Sequence, residues 1–140
     1  VEQIGPNGGW LWNNGKKTSS DAQRLREAKY NNYTGVLGLH KKNSAAFSKG
    51  SVAATKNGYS VTVEVDGNQF VYLLDNNYQL LGSAFEIGKT KQSSAYSNFK
   101  TVGGIKMPFT TVTSDGKNKL TMRYKSIKMN EALQTDWKEL

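Results

Sequence analysis

The stretch Tyr59-Ser60-Val61-Thr62-Val63-Glu64-Val65-Asp66-Gly67-Asn68-Gln69-Phe70-Val71-Tyr72-Leu73-Leu74 decides the class of fold. Asp66-Gly67 suits the two-residue turn of a β-hairpin, whose central positions need positive φ. Such a turn pairs residues symmetrically about itself, so Val63 stands opposite Phe70, Val61 opposite Tyr72 and Tyr59 opposite Leu74. Side chains alternate along a strand, which puts all six on one apolar face. The other face is mixed, with Ser60, Thr62, Glu64 and Gln69 beside Val71 and Leu73. That asymmetry belongs to an antiparallel sheet covered on one side.

Outward from this hairpin, alternation and turn residues predict strands near 51–56, 58–65, 68–74, 78–87, 95–101, 105–113 and 119–129, with Lys89–Ser94 a polar loop. A second hairpin around Asp115-Gly116, if its loop has an even number of residues, sets Met107, Phe109 and Thr111 beside Leu120, Met122 and Tyr124. Lys119, Thr121, Arg123 and Lys125 then face away. The apolar parity changes between Tyr124 and Ile127, which reads as a β-bulge near Lys125-Ser126. Pro108 cannot donate to a ladder and belongs at an edge or irregularity. The fold class expected is mainly β (α+β): a curved antiparallel sheet or half-barrel with one short helix packed on it.

Toward the N-terminus, Lys41–Gly50 reads as a polar loop with Ala45, Ala46 and Phe47 tucked in, and Tyr33–His40 is compatible with helix or strand. Ala22, Leu25 and Ala28 recur at helical spacing behind a Ser20/Gln23 capping box, predicting a helix over 21–30. Asn14-Gly15 is a hairpin turn after a short aromatic strand.

A chain of 140 residues fits a single domain, here 1–140, or the C-terminal part of a longer one. No run approaches the roughly 18 apolar residues of a membrane-spanning helix, and Val1–Gly9 carries no basic region followed by an apolar run. The net charge of +8 favours an anionic partner such as a membrane surface or nucleic acid. Its basic residues are mostly lysine, the arginines being Arg24, Arg26 and Arg123. Lysine lacks the planar fork that reads guanine, so loose electrostatics are expected and specific nucleic-acid recognition is not.

Little points to chemistry. Without cysteine there is no thiolate nucleophile and no cysteine-bound zinc, and without clustered ligands no metal or cofactor is expected. A serine triad would need His40, the one histidine, and no Gly-x-Ser-x-Gly elbow accompanies it. Gly103-Gly104 lacks the following Lys-Ser/Thr and helix of a phosphate loop and reads as a tight turn. Met122-Arg123-Tyr124-Lys125 interleaves aromatic and cation as a base-stacking groove does, though a core face backing a solvent face gives the same alternation.

The segment Tyr96-Ser97-Asn98-Phe99-Lys100-Thr101-Val102-Gly103-Gly104-Ile105-Lys106-Met107-Pro108-Phe109, followed by Ile127-Lys128-Met129-Asn130 with Leu133, Asp136 and Trp137, resembles the ending of the periplasmic lipoprotein carrier and receptor superfamily, the LolA/LolB-like fold. Leu74-Asp75-Asn76-Asn77-Tyr78-Gln79-Leu80-Leu81 is similar to its preceding strand, Asp-turn and strand, and Gly9-Trp10 with the following helix to its middle segment. The resemblance covers about residues 59–137. It implies a half-barrel whose concave apolar face, covered by helices, receives acyl chains in the periplasm or cell envelope. The family's first helix and strands have no counterpart here, and its N-terminal arginine has no position to map onto.

The function expected is a non-catalytic binding domain holding a lipid, a lipoprotein acyl chain or an apolar protein segment. Tyr59, Val61, Val63, Phe70, Tyr72, Met107, Phe109, Leu120 and Met122 would line the hollow or the core. A second class is a basic module for nucleic acid or another anionic polymer, working through Lys119, Arg123, Lys125 and Lys128. A third is a cofactor-free enzyme on the same fold.

Overall fold

The computed structural model describes residues 2–5 and 8–128, and these divide into two compact units, one of the described residues up to 32 and one of 33–128. Met129, Asn130, Leu133, Asp136 and Trp137, part of the family-like ending, lie outside the described residues.

In the first unit β1 (Glu2–Gly5), β2 (Gly8–Asn13) and β3 (Lys16–Ser19) form an antiparallel sheet in the order β1-β2-β3. The predicted turn is present, with Asn14 and Gly15 at φ 48° and 75°. Lys17 places its ammonium 4.7 Å over the Trp10 ring. The helix α1 (Ala22–Tyr30) follows the predicted span. Its cap is Asp21 rather than Ser20: the Asp21 carboxylate accepts the Arg24 N–H at 2.7 Å. A carboxylate serves that place better, since it meets the positive end of the helix as well as an unpaired N–H.

The second unit begins with a 3-10 turn (Asn31–Tyr33 reaches into it), α2 (Gly35–Gly38), a second 3-10 turn (Lys41–Asn43) and α3 (Ser44–Phe47). The expected polar loop over 41–50 is thus largely helical turns. Then come β4 (Ser51–Thr55), β5 (Gly58–Val65), β6 (Asn68–Asp75), β7 (Leu80–Ile87), β8 (Thr90–Val102), β9 (Ile105–Ser114) and β10 (Lys119–Arg123). They make one antiparallel sheet in strict chain order, not closed into a barrel.

The 59–74 hairpin has the predicted register, Val63 opposite Phe70, Val61 opposite Tyr72 and Tyr59 opposite Leu74. The second hairpin has the even, four-residue loop 115–118 that sets Thr111, opposite Met122, on one face with Leu120, as expected. Pro108 stands opposite Phe99 in the β8/β9 ladder, beside an irregularity at Asn98, whose φ is 54°.

Three expectations are corrected. Lys89–Ser94 is not a loop, because β8 starts at Thr90. Its alternation is carried by half-buried Thr90, Gln92 and Ser94 against exposed Lys91 and Ser93, a period-2 pattern that hydrophobicity does not register. The strand predicted to 129 ends at Arg123, with Tyr124 N–H donating a last bond to Phe109 O at 2.9 Å, so no bulge forms at Lys125-Ser126. The register shift lies instead in the β6/β7 pair at Leu73/Leu74, where Leu74 meets Leu80 and Leu73 meets Gly82.

Following the registers across the sheet, Val52, Val61, Tyr72, Ser83, Ser94, Thr113 and Leu120 form one row on what we call the Tyr72 face. The core is at Val63, Phe70 and Tyr72, exposed by 1%, 1% and 0%. The helical turns cover it directly: Tyr33 packs on Phe70 at 5.4 Å and Phe47 on Tyr72 at 5.2 Å between ring centres. The Tyr72 hydroxyl donates to Tyr33 O at 2.5 Å. Gly38 lets the chain pass there, since a Cβ would stand 2.5 Å from that hydroxyl oxygen and 2.7 Å from Tyr33 O.

Burial, with the neighbouring Tyr33 and Tyr96 phenols, pushes the Tyr72 hydroxyl well above the ordinary phenol range. Its neutral form is therefore favoured by folding. This contribution is complete below the unfolded value of about 10 and is lost as pH rises beyond it. Tyr72→Phe is expected to cost about 1–2 kcal/mol at neutral pH in urea unfolding, and to flatten the decline of stability above pH about 10.

In the β9/β10 loop, Asp115 is lowered to about 2 by the Asn118 N–H, the Asn118 side-chain amide and the Lys117 N–H. The loop is favoured above the ordinary carboxylate range and loses this support as pH falls through about 2. An NMR titration should give an Asp115 midpoint near that value, moving upward in Asn118→Ala.

Candidate functional site

The residues expected to line a hollow separate into two groups on the Tyr72 face. Val63, Phe70 and Tyr72 are sealed under Tyr33 and Phe47, with Phe85 beside Phe70 at 6.4 Å. They are packed core, and no room is left against them for a ligand. Val61 is half-buried between Tyr72 and Val52, which is 67% exposed. Tyr59 is half-buried and stacks on Tyr78, ring centres 5.4 Å apart and planes 14° apart.

Next along the face comes a hydroxyl belt that the hydrophobic pattern could not reveal. Ser83 bonds Tyr96 at 2.8 Å and Ser94 bonds Thr113 at 3.0 Å, while Thr111 is buried in the same belt. The paired hydroxyls of Ser83, Tyr96, Ser94 and Thr113 satisfy one another, so they cost little to cover.

Beyond the belt lies a second apolar field. Phe109 is buried, with the Lys100 ammonium 4.5 Å over its ring, and Met107 is half-buried. Leu120, Met122 and Tyr124 are 59%, 37% and 43% exposed. Leu120 and Met122 stand opposite Thr113 and Thr111, hence on this face, and the Tyr124 hydroxyl lies 3.9 Å from the Met122 sulfur. Leu120, Met122 and Tyr124 thus meet solvent beside buried Phe109.

Of the basic set, Lys119 and Arg123 alternate with Leu120 and Met122 and so occupy the reverse face. Lys125 and Lys128 are exposed and follow the end of β10. The reverse face also carries a shallow hollow of about 390 Å³ whose lining includes Gln69, Val71, Ala84, Ser93 and Ser114. At its rim Lys91 and Glu86 pair at 2.8 Å, both well exposed, a pair worth little in water.

His40 is exposed, and its Nδ1 accepts the Lys42 N–H at 3.2 Å, capping the 3-10 turn. Among the described residues no group of three His, Cys, Asp or Glu could hold a metal ion, and no helix is long and apolar enough to cross a membrane.

Two features escape a reading of the sequence. Tyr33, which closes the core over Phe70, sits in a segment without clean periodicity, whereas Phe47, expected to be tucked in, does pack on Tyr72. Tyr78 is an aromatic in a turn of asparagines, 69% exposed at φ 60°. A bulky residue at the left-handed position of a predicted turn is the available signal.

Compared with protein-family models, with curated proteins and with solved structures, the chain matches none.

Proposed function

We propose that this protein is a non-catalytic binding domain of the bacterial cell envelope that holds an acyl chain, from a lipid or a lipoprotein, against the β9/β10 end of the Tyr72 face. The observation that carries this reading is the exposed field of Leu120, Met122 and Tyr124 continuing buried Phe109 beyond the hydroxyl belt. Apolar side chains gathered on one face of an edge strand gain free energy when an apolar partner covers them. Methionine suits a surface that must adapt to a flexible chain.

The reading narrows the contact set to Met107, Phe109, Leu120 and Met122, with Tyr124 added. Val61, Val63, Phe70 and Tyr72 support the sheet behind it, and Tyr59 stands apart with Tyr78. A sheet curved into a half-barrel around this field, as the family-like ending of the chain implies, would enclose the acyl chain further. The envelope location rests on that same resemblance.

Lys119 and Arg123 on the reverse face support a second reading, attachment to an anionic polymer or surface. The same strand therefore offers one face to each reading, and they can be tested apart. Burying about ten methylenes supplies up to roughly 8 kcal/mol before ordering costs, enough for micromolar affinity after losses. In a titration with a fluorescent fatty acid at low and high salt, Met122→Glu is expected to weaken binding at least about tenfold, the cost of about 1.4 kcal/mol or more. Lys119→Ala with Lys125→Ala should leave it nearly unchanged. Binding lost with the lysines and indifferent to Met122→Glu refutes the apolar site.

A further inference from the structure

The turns joining β4 to β5, β6 to β7 and β8 to β9 lie together at one end of the sheet, because every strand is antiparallel to its chain neighbour. Gly58 brings the first against the second: a Cβ there would overlap Leu74 O. Lys106, at the start of β9, reaches the second as well, its ammonium donating to Gln79 Oε1 at 3.4 Å.

The β6/β7 turn is tightly specified. Asp75 Oδ1 accepts the Asn77 and Gln79 N–H groups, both at 2.8 Å. Tyr78 N–H donates to Asp75 O, and Asp75 N–H to Gln79 O, both at 3.0 Å. These bonds fix residue 78 at φ 60°, a conformation that glycine or asparagine adopts at least cost. The backbone bonds need no ring at that position. A tyrosine stands there nonetheless, with one ring face on Tyr59 and 69% of the residue in solvent.

Most acidic side chains of this unit gather at one end of the sheet, where Lys89, Lys91, Lys117 and Lys119 offset them. Among the described acidic residues of this unit, Glu64, Asp66, Glu86 and Asp115 lie at the far end, and only Asp75 lies near Tyr78. The Asp75 carboxylate is already turned to its own backbone. Lys56, in the adjoining β4/β5 turn, and Lys106, bonded to Gln79, are both exposed.

We infer that Tyr78, backed by Tyr59 and flanked by Lys56 and Lys106, is a stacking platform for a base of single-stranded nucleic acid, with the lysines meeting its phosphates. A π-face held rigid beside cations is the pattern that binds single strands without regard to sequence. The site is remote in register from Leu120 and Met122 and does not rest on the acyl-chain reading.

The test is fluorescence anisotropy of a labelled ten-nucleotide oligo(dT) across a salt series. Tyr78→Asn keeps the turn and removes the ring; it should unfold as cooperatively as the parent protein and bind at least about tenfold more weakly, whereas Tyr78→Trp retains binding. Lys56→Ala with Lys106→Ala should make the slope of log affinity against log salt shallower by about 0.7 for each phosphate that a lysine neutralises in the parent protein. Met122→Glu should change neither. Oligo(dT) binding equal in Tyr78→Asn and the parent protein, no binding by the parent protein at low salt, or displacement of oligo(dT) by a neutral oligosaccharide such as xylohexaose would each overturn the inference.

Discussion

The second unit depends on the burial of one phenol. Tyr72 lies on the interior strand β6 with its ring under Phe47 and its hydroxyl on the backbone carbonyl of Tyr33. A phenol without a partner there would lose its hydration for nothing, so the position of Tyr33 is fixed by the need to supply an acceptor. With Tyr33 in place, its own ring covers Phe70, and Gly38 must remain without a side chain for the chain to pass. The short helical turns are therefore held by the sheet. Four-residue helices such as α2 and α3 have too few internal bonds to persist alone.

Much of the sheet is legible in the sequence because its strongest local instructions agree with one another. Asp66-Gly67 sets a turn, and the six apolar residues that this turn brings into register also share a face. Where the pattern is written in hydroxyls the reading fails: Gln92, Ser94 and Thr90 alternate as faithfully as valines would, yet hydrophobicity treats them as loop. The cap at Asp21 is ambiguous in sequence because two adjacent residues could each serve, and the choice between them is made by charge.

The candidate site is legible in a different sense. Sequence identifies the apolar face correctly but gives no means of telling which part of it the chain itself covers. The covering residues, Tyr33 and Phe47, come from a segment of glycines and short turns whose path is dictated by the sheet beneath. Once they are placed, Val63, Phe70 and Tyr72 become interior and Leu120 and Met122 stay open. The hydroxyl belt between them separates a stabilising surface from an available one.

The meander has a consequence for how the molecule reaches this state. Every pairing in the seven-stranded sheet joins strands consecutive in the chain, so no pairing requires distant segments to meet first. The entropy of closing a loop rises with loop length, and folding slows as contacts become less local. A sheet of this topology can grow one strand at a time, each new rung adjoining one already made. The long-range step is the return of the 33–50 segment to cap Phe70 and Tyr72, a contact between chain regions otherwise unpaired in the sheet. Assembly of the ladder and closure of the core are thus physically distinct events in the same chain.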